Sequence, residues 1–259
     1  MINKKKALLM LATAAICCGM ASTAFAAPGK FNVKADELEY DLQSGKGLGK
    51  GNVIIVQDDG KATANYANFD SKAKTGVLVG KVVVTKGDTQ INCETFTMHS
   101  EDYVTAAGTA TVTKEGKKLE AEQIDYHKST EYMETVGSWA RLTDVDGSTL
   151  SAGKIDYDAK SGVANASGGI TIDSEARKLT ATADKAIYET RANGYVELIG
   201  NAKATQDGNS VTGDRLRLTN ANVAVADGNV KIIYIPAEKT AQATEEKQAA
   251  EGIDQVFSM

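Results

Sequence analysis

The chain has 259 residues, with 29 Lys and Arg against 34 Asp and Glu, two His, and a net charge of −5. An acidic balance of this kind excludes the cationic surplus that neutralises phosphates on nucleic acid, so no nucleic-acid partner is expected. Only one of the three cysteines, Cys93, lies beyond residue 26, so no intramolecular disulfide is expected after export.

The first 26 residues read as a secretory signal peptide. Lys4, Lys5 and Lys6 form a basic start, "ALLMLATAAICCGM" is a short apolar core, and "AFA" at 24–26 is a small-x-small cleavage site. Two alternatives remain, lipidation at Cys17 or Cys18 and an uncleaved anchor. A lipidation site wants a small residue before the cysteine, where Ile16 precedes Cys17 and Cys17 precedes Cys18. Removing the three leader lysines leaves 26 basic and 34 acidic residues, net −8. No later segment has the run of about 18 apolar residues that a membrane helix needs.

Residues 27–235 read as one continuous all-β body. Pro28 and Pro236 bracket it, Gly, Val, Thr, Ala and Asp dominate inside, and long helical patterns are absent. "VKADELEY" at 33–40 returns as "LEAEQIDY" at 119–126, "LSAGKIDY" at 150–157 and "ATADKAIY" at 181–188. Units start at Val33, Ala62, Ile91, Leu119, Leu150, Ala181 and Val211, at intervals of 29, 29, 28, 31, 31 and 30 residues. A fixed period of this length predicts a stacked, solenoid-like architecture of about seven units.

Two residues into every unit stands a small side chain: Ala35, Ala64, Cys93, Ala121, Ala152, Ala183 or Gly213. A polar residue follows in all but one: Asp36, Asn65, Glu94, Glu122, Asp184 and Asp214, with Gly153 the exception. Apolar alternation comes next. About 18 residues after each start a glycine (Gly51, Gly80, Gly108, Gly137, Gly168, Gly200, Gly228) opens a second strand such as "GNVIIV" or "GNVKII". A glycine inside a strand pattern marks a bend or bulge. Each unit therefore reads as two strands, one bent at its glycine, separated by turns such as "QSGK" and "AKSG".

"VKADELEY…GNVIIV" and its copies resemble the OstA-like repeat of LptA-type periplasmic lipopolysaccharide-transport proteins, over about 31–235. "VKIIYIPAEK" at 230–239 looks like the last strand and proline exit of that family. The resemblance implies a repetitive open β-jellyroll with an apolar interior for lipid A acyl chains and sugars left in water. It also implies head-to-tail homo-oligomers that bridge inner and outer membranes between LptC-type and LptD-type partners. The seven units look longer than a typical LptA core. A cleavable signal argues against the anchored LptC type, and the lack of a following barrel against LptD.

Period-two alternation gives an inward set expected to line the lipid path: Leu38, Tyr40, Val53, Ile55, Phe69, Leu78, Val82, Val84, Phe96, Met98, Tyr126, Trp139, Ile155, Tyr157, Ile170 and Ile172. Trp139 takes the place of the usual aliphatic after Gly137, as core filling or as lipid lining. Lys34, Gln57 and Lys154 are expected to face outward. The two open ends should pair copies by strand addition, through Phe31 and Val33 at one end and Ile232, Ile233 and Tyr234 at the other.

No enzyme, metal site or cofactor is expected. His99 and His127 have no ligand spacing for zinc, Cys93 sits at the small position as a buried thiol, and the repeated acids should bond backbone amides at strand corners rather than hold Ca²⁺. "GKGLGKGN" at 45–52 misses the dinucleotide fingerprint. Residues 236–259 form a charged, alanine-rich tail expected to be disordered or marginally helical. The competing functions are a structural or adhesive β-solenoid fibre, with a dry core and no cargo, and a β-helix polysaccharide lyase or esterase. No unit shows the local enrichment in charged residues that an enzyme would need.

Overall fold

In the computed structural model, residues 31–57, 59–189, 195–219 and 224–235 are described. The expected signal peptide and the charged tail lie outside them. The described residues form a single antiparallel sheet of seventeen strands. They are β1 (Phe31–Lys34), β2 (Glu37–Tyr40), β3 (Lys46–Gln57), β4 (Gly60–Asp70), β5 (Thr75–Lys86) and β6 (Thr89–Met98). Then come β7 (Tyr103–Lys114), β8 (Lys117–His127), β9 (Tyr132–Thr143), β10 (Thr149–Ala152), β11 (Lys154–Asp158) and β12 (Val163–Ser174). The last five are β13 (Leu179–Glu189), β14 (Tyr195–Gln206), β15 (Asn209–Thr219), β16 (Ala224–Asp227) and β17 (Lys231–Ile233).

The connectivity is an up-and-down meander. From β3 to β9 each strand pairs with the next. β10 and β11 together act as one broken strand between β9 and β12, and β12 to β15 continue in order. β1 and β2 share the edge of β3. β16 and β17 share the edge of β15.

Every long strand is broken by a corner near its middle. On β3 the pairing with β4 jumps from Lys50↔Tyr66 to Val53↔Ala64, so Gly51 and Asn52 oppose Asn65 alone. Both bulge residues are left-handed, at φ 71° and 47°. Glycine takes that conformation at no steric cost, and asparagine is among the few residues that tolerate it, which is why "GN" recurs here. A side chain on Gly51 would run into the carboxylate of Asp36.

That contact explains the repeated acid-and-glycine spacing. The polar side chain of one strand fills the space left by the glycine of the next, as with Asp184 over Gly200 and Asp214 over Gly228. The carboxylates of Asp36, Asp184 and Asp214 accept from the side-chain Nδ2 of Asn52, Asn201 and Asn229 at 2.9, 3.0 and 3.0 Å. Glu122 accepts from the Ser138 amide and hydroxyl at 3.0 and 2.5 Å. The expectation of backbone amides is thus met at Ser138, while at the three "GN" corners the carboxylate accepts from the asparagine side-chain amide. Where the acid is replaced by Gly153, a Cβ on Gly168 would lie only 3.0 Å from the Gly153 Cα.

The corners fold the sheet into two layers. On β4 the buried residues are Ala62 and Ala64 before the corner and Ala67 after it, so the inward parity switches where Asn65 and Tyr66 turn the strand. β6, β8 and β13 make the same switch, at Cys93/Phe96, Ala121/Ile124 and Ala183/Ala186. The halves carrying Val53, Val82, Ala121 and Ile172 form the first layer. Those carrying Ala67, Phe96, Ile124 and Ile155 form the second. Both inner faces are buried against each other as one continuous core. This is the stack of two-strand units that the repeat predicts, folded as the β-jellyroll that the resemblance implies.

Candidate lipid-binding interior and its mouth

Between the layers runs an apolar interior, closed along one side by the glycine corners. Along the other side the hairpin ends of the two layers form a mouth with two lips. Each lip is a lateral row of direct cross-strand partners. On the second layer the row runs Tyr40–Gly47–Phe69–Gly76–Met98–Val104–Tyr126, then Met133–Tyr157–Ala164–Tyr188–Val196–Leu218. Large side chains alternate with smaller ones, and the ring of Phe69 occupies the space a Cβ on Gly47 would need.

The facing lip on the first layer is polar. Gln57, Lys86, Thr89, Lys114 and Lys117 continue the inward rows of Ile55, Val84, Ile91, Val112 and Leu119 to the hairpin ends. Asp144, Ser148 and Ser174 extend it, all buried, with Ser148 Oγ donating to Ser174 Oγ at 2.7 Å. Lys117 Nζ lies 3.8 Å from Asp144 Oδ1, and Arg177 donates to Asp146 Oδ2 at 2.7 Å. The two lips meet at Tyr188. Burial pushes its phenol up to about 12, and the Asp144 carboxylate on the opposite lip and Tyr157 add to the shift.

Of the expected lining residues, Val53, Ile55, Leu78, Val82, Val84, Phe96, Tyr126, Ile155, Tyr157, Ile170 and Ile172 are buried on inward rows. Phe69 and Met98 are half-buried at the aromatic lip. Leu38 and Tyr40 lie on inward rows as well, yet are 49% and 41% exposed, because among the described residues no strand covers the β2 end.

Trp139 is a correction. β9 carries one extra residue at its corner, where Gly137, Ser138 and Trp139 oppose the single Glu122. Ala140 therefore takes the inward position and Trp139 turns outward, 38% exposed. Gln57 is a second correction. It shares parity with Val53 and Ile55 and is 3% exposed on the polar lip, whereas Lys34 and Lys154 face water as expected.

Among the described residues no group of three or more His, Cys, Asp or Glu is arranged to hold a metal ion. His99 and His127 instead sandwich the ring of Tyr103, each with ring centroids 4.5 Å apart. Tyr103 in turn donates to Asp125 Oδ2 at 3.1 Å. Nothing in the repeat pattern signals this stack, because it joins outward positions of neighbouring strands. Cys93 is buried at its small position, and desolvation pushes its thiol up to about 12.

The interior is packed. A gap enclosed between the layers, lined by Leu142 and Leu150 on one side and Ile155, Ala166, Ala186 and Val196 on the other, measures about 20 Å³. That is room for about one water.

A family model described as LptA/(LptD N-terminal domain) LPS transport protein matches residues 32–163 and 164–224. The chain belongs to this family of lipopolysaccharide-transport proteins. No curated protein matches it. Among solved structures it is similar to LptH, the LptA homologous periplasmic component of the lipopolysaccharide transport device from Pseudomonas aeruginosa. The identity is 16%, the match covers 80% of this chain and 96% of LptH, and the TM-score is 0.18. Tyr40, Phe69, Tyr126, Tyr157 and Tyr188, which close five of the repeated strands, supply the aromatic lip, and the "GN" pairs at 51–52, 200–201 and 228–229 supply corners. Among the described residues no helix is long and apolar enough to cross a membrane.

Proposed function

We propose that this chain is a periplasmic lipopolysaccharide carrier without catalytic activity. It holds lipid A acyl chains between its two layers, leaves the sugars at the mouth, and joins copies end to end into a bridge between the membranes. The observation that supports this reading is the interior itself, one apolar core continuous across all seven units, with the hairpin ends of the two layers along one side. Transfer along such a space needs no catalytic group. It needs neighbouring sites of similar affinity, and each methylene taken up gains about 0.8 kcal/mol wherever it lies.

The inward residues Val53, Ile55, Leu78, Val82, Val84, Phe96, Met98, Tyr126, Ile155, Tyr157, Ile170 and Ile172 are the lipid contacts in this proposal, with Leu38, Tyr40 and Phe69 at the entrance. LptC-type and LptD-type proteins are the partners proposed for the two ends. The packed interior favours one rival, a structural fibre with a dry core. The two are separated by protein purified from an envelope that makes lipopolysaccharide. The carrier yields co-purifying lipid A by extraction and mass spectrometry, and photo-crosslinkers at Phe96 and Ile155 capture it while those at Lys34 and Lys154 do not. A lipid-free protein that excludes an apolar fluorescent probe is the fibre.

A further inference from the structure

The line of glycine corners is uniform except at one joint. At the other corners between β3 and β15 at most three residues of a strand fall outside the register, as where Gly51 and Asn52 oppose Asn65. Between Ala140↔Ala152 and Glu134↔Asp156, by contrast, the five residues 135–139 of β9 face only Gly153, Lys154 and Ile155. Among the described residues from β3 to β15, β10–β11 is also the one strand that breaks at its corner. A side chain stands in the ladder there: the buried Thr135 Oγ1 accepts from the backbone N–H of Ile155 at 2.9 Å.

The side chains that lock the other corners are missing from this one. Gly153 stands where Asp36, Glu122 and Asp184 fill the space over the next glycine, and it is followed by Gly168 and Gly169 at φ 84° and 81°. In the other units the position of Gly169 carries a side chain, as Asn52, Lys81, Thr109, Ser138, Asn201 or Asn229. A Cβ on Gly169 would meet nothing within 4 Å. Three glycines thus meet at one corner, each with more backbone freedom than any other residue. The packing gap lined by Leu142, Leu150 and Ile155 lies between the layers of these same strands. The side-chain ties across the joint, Lys154 to Glu134 and Arg141 Nε to Ser151 Oγ at 3.4 Å, face solvent, where such contacts contribute little.

The register, the missing acid and the packing gap are independent observations, and they coincide. We propose that this corner is a twist joint, about which β3–β9 and β12–β15 turn against each other as two bodies with β10–β11 between them. Within each layer the strand pairs persist, Ala140↔Ala152 on the first and Glu134↔Asp156 on the second. What is slack is the corner that fixes one layer against the other, so the two ladders shift independently. Local freedom of this kind shows in amide exchange and in distances measured across the joint. The joint concerns the shape of the body and holds whatever the cargo is.

The test uses two spin-label pairs in the protein carrying Cys93→Ala, since alanine takes that position at Ala64 and Ala121. Both pairs include Lys118→Cys, on the outer face of the first layer. Its partners are Asn68→Cys on β4 and Lys185→Cys on β13, both exposed on the outer face of the second layer. They lie equally many strands away, since β10 and β11 act as one. Pulsed electron resonance reads a broader distance distribution for the Lys118–Lys185 pair, which spans the joint, than for the Lys118–Asn68 pair, which does not. Gly153→Asp/Gly169→Asn rebuilds the acid and the "GN" pair of the other corners. It removes the excess width, slows amide exchange over 134–139 and 153–156, and leaves the Lys118–Asn68 distribution unchanged. A Cβ on Gly153 would lie 3.2 Å from the Gly168 Cα, so Gly169→Asn alone serves as a second variant, and it removes part of the excess. Equal widths in the natural protein overturn the joint. An excess that persists undiminished in a folded variant of either kind overturns it too.

Discussion

Phe69 and Gly47 are direct cross-strand partners, and the Phe69 ring lies where a Cβ on Gly47 would stand. Gly47 does not need glycine for its backbone, since its φ is not positive. The close ring is the whole reason for it.

Gly47→Ala therefore forces Phe69 off its seat at the aromatic lip and destabilises the fold by about 1–3 kcal/mol, as overpacking does. Urea unfolding measures the loss. Phe69→Leu in the same chain recovers most of it, because the clash needs both partners. Two additive losses would mean that Gly47 serves some other purpose.

Carboxylates at the hairpin turns set the acid response. Hydrogen bonds from Ser44 hold Asp41 below the ordinary carboxyl range, and those from Ser129 and Ser161 do the same for Asp102 and Asp158. A carboxyl whose folded value lies below its unfolded value of about 3.9 contributes stability above that unfolded value and loses it as pH falls through the folded one. The urea midpoint should stay level near neutral pH and drop below about pH 4. Asp102→Asn and Asp158→Asn should lower the midpoint at neutral pH and flatten the acid limb. An unchanged acid slope in the double variant would place the proton uptake elsewhere.

Cys93 gives a clean probe of opening. With the thiol pushed up to about 12 by burial, almost no thiolate exists at mildly alkaline pH in the folded protein. Labelling by a disulfide reagent should follow the rate or equilibrium of opening of the β6 region, and lipid that parts the layers should accelerate it. Fast labelling of the unliganded protein, at the rate of a free thiol, would contradict the burial.

Much of this architecture was legible because it repeats. The small residue and the glycine recur in register seven times and the acid five, so Ala64, Asp36 and Gly51 mark a corner in the sequence itself. Gln57 and Lys114 were harder to place. Their parity puts them inward, but polarity argues the reverse, and only the two-layer arrangement explains polar residues on an inward row at a mouth. Trp139 was misplaced for a different reason. The extra residue at the β9 corner shifts register by one, and a one-residue shift exchanges the faces of a strand. The His99–Tyr103–His127 stack carried no signal, since nothing in the spacing joins outward positions of separate strands.

The two ends predict an assembly. Ile232 pairs with Val211 and so continues an inward row, yet it is 69% exposed, with no further strand over it among the described residues. Tyr234 and Ile235 are exposed beside it. At the other end Leu38 and Tyr40 stand uncovered on inward rows, and β1 and β2 pair only with β3 among the described residues. A strand of one copy laid along β1–β2 of the next completes both interiors at once. Burying two large apolar side chains is worth roughly 3–6 kcal/mol, against several kcal/mol lost to association. Such a contact should be weak and concentration-dependent, and, being heterologous, it should propagate into filaments. Light scattering of the natural protein should show mass rising with concentration. Deleting residues 229–259, or the paired change Ile232→Lys and Tyr234→Lys, should leave a folded monomer with unaltered circular dichroism. Cysteine pairs placed at Lys34 of one copy and Lys231 of another should crosslink only in the natural background. Filaments that persist in the deletion variant, or a natural protein that remains monomeric at high concentration, would show that the ends are capped and that the bridge is built by some other contact.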